Sequence, residues 1–313
     1  DTELVSRITE TERLHQQAWN KVLYKSDAGL HGVTPWYAED YDDSDWEKVD
    51  MFSDNWAIRN GRPLNGVHWF RKDFFVPEDW SGKEAVLRLG CIVDADSVFV
   101  NGHFVGTVSY QYPPRIYKVP SKLLKKGKNQ LTVRLFSYGG RPSFVKEKPY
   151  KLICDGKEVN LEGGWKHKIG TVMPPSPSST AFHYTPVGLY NGMIYPLRHY
   201  TFKGVVWYQG ESNVGRWSEY SSLLSALIAD WKTLFKDETL SFYIIELADF
   251  LAPDDPGRAA WAELRNQQAK TARENAHVTL IKNSDTGEWN DIHPLDKKTA
   301  ATRLVEAVIQ NEK

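Results

Sequence analysis

Two polar segments of the chain combine the residue types that hydrolytic chemistry uses. The first, 207–213, has the sequence WYQGESN, and the second, 284–294, has the sequence SDTGEWNDIHP. Together they supply side-chain amides, carboxylates and an imidazole, which can move protons and stabilise negative charge. Segments this rich in Asp, Asn, Glu and His add little to a hydrophobic core. A functional role is therefore favoured over the alternative, a solvated loop that caps a helix.

Each polar segment comes at the end of a short apolar run or soon after one. Runs at 204–208, 242–245 and 278–281 predict three strands, and apolar residues at helical spacing predict helices between and after them. This alternation is typical of a parallel α/β sheet. Because ligands bind beyond the carboxyl ends of strands in such sheets, both polar segments should face one pocket. Three strands leave an unpaired edge, so we expect this domain to be incomplete.

The preceding part of the chain has a different pattern. A helix is predicted near residues 4–22, and short strand-forming runs separated by turns occupy about 34–179. Asn101-Gly102 between two apolar runs indicates a hairpin, and many short strands favour an antiparallel sandwich. Five tryptophans could line a sugar site, but in a sandwich such residues more often fill the core: Trp36, Trp46, Trp56, Trp69 and Trp80.

The composition is that of a globular protein without a strong charge bias. Hydrophobic residues make up 41% and charged residues 25% of the 313 residues, and the net charge is −1. No long basic stretch or membrane-length apolar run occurs, so we expect neither nucleic acid nor membrane as a partner. Cys91 and Cys154 fit no zinc or redox spacing and favour two buried thiols over a disulfide. The chain begins at Asp1 without a signal peptide, and we interpret it as a processed chain or fragment of a periplasmic or secreted protein.

Several motifs together resemble the bacterial sialate O-acetylesterases, a branch of the SGNH hydrolases. They are WYQGESN at 207–213, DIHP at 291–294 and LYNGMI at 189–194. The run DADSVFVNG at 94–102 resembles the galactose-binding-like sandwich found in these esterases and in β-galactosidases. The resemblance implies an incomplete SGNH-like α/β domain, split into 1–33 and 180–313, with a galactose-binding-like antiparallel β-sandwich inserted at 34–179.

The resemblance also implies a reaction, the hydrolysis of O-acetyl esters of sialic acid or another acetylated sugar by a serine. His293 would be the general base, Asp291 would orient its imidazole, and Gln209 would donate to the oxyanion. Asn213 is an alternative donor. Related hydrolases carry an Asp three residues before the histidine, where this chain has Asn290. Two alternatives to Asp291 therefore stay open: a Ser–His dyad without a carboxylate, and Asp285 in place of Asp291. The other expected site residues contact substrate or anchor their neighbours: Gly210, Glu211, Asn213 and Asn191. Ser–His chemistry implies neither cofactor nor metal.

The family's nucleophile lies in a Gly-Gln-Ser-Asn segment, which this sequence lacks. Ser212 is followed by Asn, but it belongs to the motif assigned to the oxyanion. We therefore expect the serine to come from a missing N-terminal segment or a partner chain. The isolated chain is expected to be inactive, with an acetylated sugar as the substrate of the complete enzyme.

Two other functions and one possible metal site are weighed against the esterase interpretation. A carbohydrate-binding protein without catalysis is favoured by the missing serine and disfavoured by the retained DIH sequence. A β-galactosidase fragment is disfavoured because that enzyme needs paired carboxylates on a barrel. The acidic run 40–45 resembles the start of a calcium loop, but Asp45 and Met51 stand where such a loop needs Gly and Glu, which favours a solvated turn.

Overall fold

The computed structural model describes residues 2–311. It divides into two units, the first ending at Thr180 and the second beginning at Ala181. Its α-helices are α1 (Thr2–Ser26), α2 (Tyr220–Phe235), α3 (Arg258–Glu274) and α4 (Lys297–Asn311). No helix of the described residues is long and apolar enough to cross a membrane.

The first unit is built around two antiparallel sheets. A six-stranded sheet has the order β1-β14-β4-β10-β7-β8, and a four-stranded sheet has the order β13-β12-β5-β9. Two short pairs, β2-β3 and β11-β6, accompany them. The strands of this unit are β1 (Glu47–Asp50), β2 (Ile58–Arg59), β3 (Arg62–Pro63), β4 (Gly66–Val76), β5 (Ala85–Leu89), β6 (Ile92–Val93), β7 (Ala95–Val100), β8 (His103–Val108), β9 (Ile116–Val119), β10 (Gly127–Ser137), β11 (Ser143–Phe144), β12 (Tyr150–Cys154), β13 (Lys157–Asn160) and β14 (Gly164–Val172).

Alternating side chains of the two sheets form the main core of this unit. Phe70 and Val133 of the larger sheet belong to the same buried cluster as Leu87 and Leu152 of the smaller one. All five tryptophans that sequence reasoning assigned to the core are buried, which confirms that assignment. Cys91 and Cys154 are buried and do not form a disulfide, as predicted.

Helix α1 packs on the outer side of the larger sheet. Its buried residues, Trp19 and Leu23, join a cluster with Val67 and Trp69 of β4. Just beyond the helix, the buried carboxylate of Asp27 accepts hydrogen bonds from Trp69 Nε1 (2.9 Å) and from Arg134. The structure therefore groups residues 2–33 with the sandwich, whereas the sequence prediction placed residues 1–33 with 180–313. Trp19 and Leu23 make this contact, whereas the apolar side chains of Leu4, Leu14 and Val22 on the same helix are exposed.

The second unit contains the three strands that the sequence predicts, and they pair in parallel. They are β15 (Gly204–Trp207), β16 (Ser241–Ile245) and β17 (Val278–Ile281), with β16 in the centre. One face of this sheet packs against α2 and α3, and the other packs against α4. Single turns and short helical segments complete this unit: Phe182–Tyr184, Tyr190–Ile194, Tyr195–Leu197, Glu211–Glu219 and Ser284–Thr286.

Candidate active site

The parallel sheet brings the two predicted polar segments to one edge. Trp207 at the end of β15 pairs with Ile244, and Ile245 at the end of β16 pairs with Ile281 at the end of β17. The residues after each strand therefore leave the sheet at the same, carboxyl-terminal edge, where ligands of open parallel sheets bind. This edge is the candidate active site.

Gln209 is held at this edge through its main chain and its side chain. Its carbonyl oxygen accepts hydrogen bonds from Tyr220 Oη (2.7 Å) and from Gln268 Nε2 (3.2 Å). Its amide nitrogen Nε2 donates to Asn213 Oδ1 at 2.8 Å. The two amides that sequence reasoning considered for the oxyanion are thus hydrogen-bonded to each other.

Gly210 and Glu211 shape the turn that follows. The carboxylate of Glu211 accepts a hydrogen bond from the backbone N–H of Gly210 at 3.0 Å. A Cβ atom at position 210 would lie 2.6 Å from Leu264 of α3, so only glycine lets α3 pack this closely. The Glu211 carboxylate thus contacts the backbone of this turn, and the functional role expected for it stays a prediction.

Asn283 links the segment after β15 to the segment after β17. The side chain is fully buried, and its Nδ2 donates to Tyr208 Oη and to the carbonyl oxygen of Glu246, each at 3.1 Å. The carboxylate of Glu246 in turn accepts the backbone N–H groups of Asn283 (3.1 Å) and Ser284 (3.0 Å). Burial raises the pKa of Tyr208, so this phenol keeps its proton at neutral pH. Sequence reasoning missed Asn283, although a polar residue two positions after an apolar strand is a usable signal.

The segment that carries His293 folds back on itself. The backbone N–H of Asp291 donates to the Glu288 carbonyl (3.0 Å), and the backbone N–H of His293 donates to Asp291 Oδ1 (2.9 Å). Asp291 is buried and His293 is exposed, so the carboxylate fixes the turn while the imidazole faces solvent. Lys297, at the start of α4, places its ammonium 5.6 Å from the ring centre of Tyr208. This contact ties the end of the His293 segment to the segment after β15.

Asp285, the alternative partner for the histidine, is engaged elsewhere. Its two carboxylate oxygens accept hydrogen bonds from Arg303 of α4 at 2.6 and 2.8 Å. The hydrogen bond to Arg303 lowers the pKa of Asp285 to about 2. Asp285 therefore holds the start of the segment against α4.

Asp249, which sequence reasoning did not consider, anchors the loop after β16. Its carboxylate accepts hydrogen bonds from Arg258 (2.7 Å) and Arg265 (2.9 Å) of α3. Burial alone would raise the pKa of Asp249, but the hydrogen bonds to these two arginines lower it. A Cβ atom at Gly287 would lie 2.0 Å from the carbonyl oxygen of Asp249, so the two loops are in close contact.

Asn191 lies in the π-helical turn Tyr190–Ile194 and is exposed. Its backbone N–H donates to the carbonyl of Val187 at 2.9 Å. The role expected for its side chain stays a prediction. Within residues 2–311, no group of three or more His, Cys, Asp or Glu side chains is arranged to hold a metal ion.

Family models match both parts of the chain. Residues 165–310 match "Carbohydrate esterase, sialic acid-specific acetylesterase", and residues 7–166 match "Glycosyl hydrolases family 2, sugar binding domain". The matched classes are thus a carbohydrate esterase and a sugar-binding domain. More particularly, residues 165–310 carry the domain of the sialic acid-specific acetylesterase family of carbohydrate esterases, a family of carboxylic ester hydrolases.

Curated relatives agree with this family. The sialate O-acetylesterase of Mus musculus is 32% identical over 136 residues, which cover 37% of this chain and 24% of the mouse protein. The enzyme of Rattus norvegicus is 32% identical over 174 residues, covering 50% of this chain and 30% of the rat protein. The chain therefore matches only about a quarter to a third of the length of these relatives.

Solved structures with some similarity include two kinds of carbohydrate-active protein. A carbohydrate acetylesterase from Xanthomonas citri has a TM-score of 0.37 and 20% identity, covering 71% of this chain and 69% of that one. A β-glucuronidase from Ruminococcus gnavus has a TM-score of 0.26 and 19% identity, covering 38% of this chain and 22% of that one.

Proposed function

We propose that the protein is part of an esterase that removes O-acetyl groups from sialic acid or another acetylated sugar. The observation that carries this proposal is the hydrogen bond between Asn283 and Tyr208. This bond joins the Gln209 segment to the His293 segment at the carboxyl ends of the parallel strands. The match of residues 165–310 to the sialic acid-specific acetylesterase family supports the same chemistry.

In the proposed reaction, His293 accepts the serine proton as the serine oxygen attacks the acetyl carbonyl carbon. The negative charge that develops on the carbonyl oxygen is stabilised by the amide of Gln209, with Asn213 as the alternative donor. The proton then passes from His293 to the departing sugar hydroxyl. In the second half, His293 takes a proton from water, whose oxygen attacks the carbonyl carbon of the acyl-serine. The bond to the serine oxygen breaks, His293 returns the proton to that oxygen, and acetic acid leaves and ionises to acetate.

Asp291 has the role of positioning the base. Its Oδ1 accepts the backbone N–H of His293, which supports a contribution through the turn that carries the imidazole. On this basis Asp291→Ala should lower turnover less than His293→Ala. The pairing of Asp285 with Arg303 supports Asp291 over Asp285 in this position.

We also propose that the nucleophilic serine comes from a segment outside this sequence. That segment would add to the parallel sheet, as the SGNH resemblance implies. The open side of β15 supports this arrangement, since β15 lies at the edge of the sheet and its Val206 is 52% exposed. An edge strand has N–H and C=O groups available for a further strand.

Hydrolysis of p-nitrophenyl acetate by the purified chain tests the source of the serine. We expect no hydrolysis above the rate in buffer, and no change in Ser212→Ala. Hydrolysis that is abolished by Ser212→Ala would overturn the proposal and identify Ser212 as the nucleophile. The alternative function, carbohydrate binding without catalysis, is favoured by the missing Gly-Gln-Ser-Asn segment and predicts that even a complete protein lacks activity.

A further inference from the structure

The outer face of the six-stranded sheet carries a row of cationic side chains. Lys48 of β1 lies directly opposite Lys166 of β14, and Lys166 lies directly opposite Arg71 of β4. Directly opposed like charges destabilise a sheet. Such a row therefore requires negative charge nearby.

The protein supplies only part of that charge at this row. Asp43 accepts hydrogen bonds from Arg71 Nε (2.7 Å) and from Lys166 Nζ, so one carboxylate serves two cations. Among residues 2–311, no carboxylate lies within ion-pair distance of the Lys48 ammonium. The exposed Lys48 thus extends the row into solvent without a counter-ion.

A cleft of about 260 Å³ opens beside this row. Gly164 lines it, and an added Cβ atom at this position would meet no atom within 4 Å. Four cationic residues and two carboxylates line it: Lys48, Arg71, Lys72, Lys166, Asp43 and Asp73. Asp73 is itself paired with Lys128 at 2.9 Å, and the Lys72 ammonium donates only to carbonyl oxygens, at 2.8 and 3.0 Å, in the contacts that the structure shows. The cleft therefore has an excess of positive charge.

A second cleft, of about 290 Å³, shares Asp43, Arg71, Asp73 and Lys166 with the first. It adds Gln130, whose amide can donate and accept hydrogen bonds, and Tyr41, whose ring centre lies 5.5 Å from the Arg71 guanidinium. It also adds Glu39 and Lys128, whose opposite charges leave the excess of positive charge unchanged. The two clefts together offer cations for one anionic group and polar side chains for hydroxyl groups.

We propose that these joined clefts bind an acidic saccharide, with its carboxylate at Lys48 and Lys166 and its hydroxyl groups toward Asp73 and Gln130. The match of residues 7–166 to a sugar-binding domain concerns this part of the chain and is compatible with such a ligand. The site belongs to the sandwich alone, so it does not depend on the esterase proposal.

Calorimetric titration of the chain with N-acetylneuraminic acid, its methyl ester and inorganic phosphate tests this site. We expect the free acid to bind and the uncharged methyl ester to bind at least about threefold more weakly, the scale of one exposed ion pair. Lys48→Gln should weaken binding of the acid by a similar factor. Gly164→Leu should abolish it, because the new side chain would occupy the open space beside Gly164 while all charges remain.

Lys168→Gln is the matched control. Lys168 lies on the same strand and face, two residues from Lys166, and pairs with Asp45 outside the cleft (2.6 Å). It should bind the acid as the unaltered chain does. Equal binding of acid and methyl ester, unchanged binding in Gly164→Leu, or phosphate binding without saccharide binding would each overturn the proposal. N-acetylneuraminic acid carries no O-acetyl group, so this experiment does not test ester hydrolysis. An absence of binding would overturn the saccharide site and would not bear on the esterase proposal.

Discussion

A buried pair of histidines should make the sandwich sensitive to acid. His68 Nδ1 and His167 Nε2 lie 3.0 Å apart, and the two residues are 1% and 4% exposed. The Leu64 carbonyl, 2.8 Å from His68 Nε2, can only accept, so His68 carries its proton on Nε2. His68 Nδ1 then accepts from His167 Nε2, and both rings are neutral. A doubly protonated pair would place two N–H groups against each other.

The size of the effect follows from the pKa of each ring. Burial lowers the pKa of His68 from 6.5 to about 4 and that of His167 from 6.5 to about 3. The unfolded chain therefore binds more protons than the folded one below pH 6.5, and stability is lost as the pH falls from there toward 4. At about 1.4 kcal/mol per pKa unit, His68 alone accounts for about 3 kcal/mol of this loss.

Urea unfolding of the chain at pH 7 and at pH 4 measures this loss. The difference between the unfolding free energies at pH 7 and pH 4 should be about 3 kcal/mol smaller in His68→Gln than in the unaltered chain, because glutamine does not titrate. The control His103→Gln, at an exposed position on β8, should leave the pH dependence as it is. The same pH dependence in His68→Gln as in the unaltered chain would refute the reasoning.

Two further predictions concern the anchor of α1 and the geometry of the site. Asp27→Ala should lower the free energy of unfolding, measured by urea denaturation, by about 3–5 kcal/mol, because it leaves the buried Arg134 without its counter-ion. The control Asp45→Ala, at the surface, should lower it by less than about 1 kcal/mol. Equal losses in the two variants would contradict the prediction. Cysteines at Gln209 and His293 should be joined by a thiol cross-linker of about 10 Å, the span of one reaction site, as judged by peptide mass mapping. Failure of that reagent to join them while a much longer one succeeds would contradict the predicted pocket.

Sequence patterns predict the second unit well because its elements are local. The run at 278–281 coincides with β17, and the apolar helical pattern beginning at Tyr220 coincides with α2 (Tyr220–Phe235). Parallel pairing follows from the alternation of strands and helices, and it places the two polar segments at one edge.

Long-range contacts account for what sequence patterns could not predict. The periodicity of α1 does not single out its buried residues, because Leu14 and Val22 are exposed. The contact with Trp69 of the sandwich is made by Trp19 and Leu23. His68 and His167 are 99 residues apart and meet only through the register of β4 and β14. Asn283 is a single polar residue, and its bridging role depends on burial and on partners in two other segments.

The role of His293 is the central claim, and acetate release from 9-O-acetyl-N-acetylneuraminic acid by an intact enzyme containing this chain tests it most directly. His293→Ala should lower turnover by about 10³- to 10⁴-fold, because the serine loses its base. His199→Ala, at an exposed position of the same unit, should retain full turnover. Near-normal turnover in a folded His293→Ala enzyme would contradict the assignment of His293 as the general base.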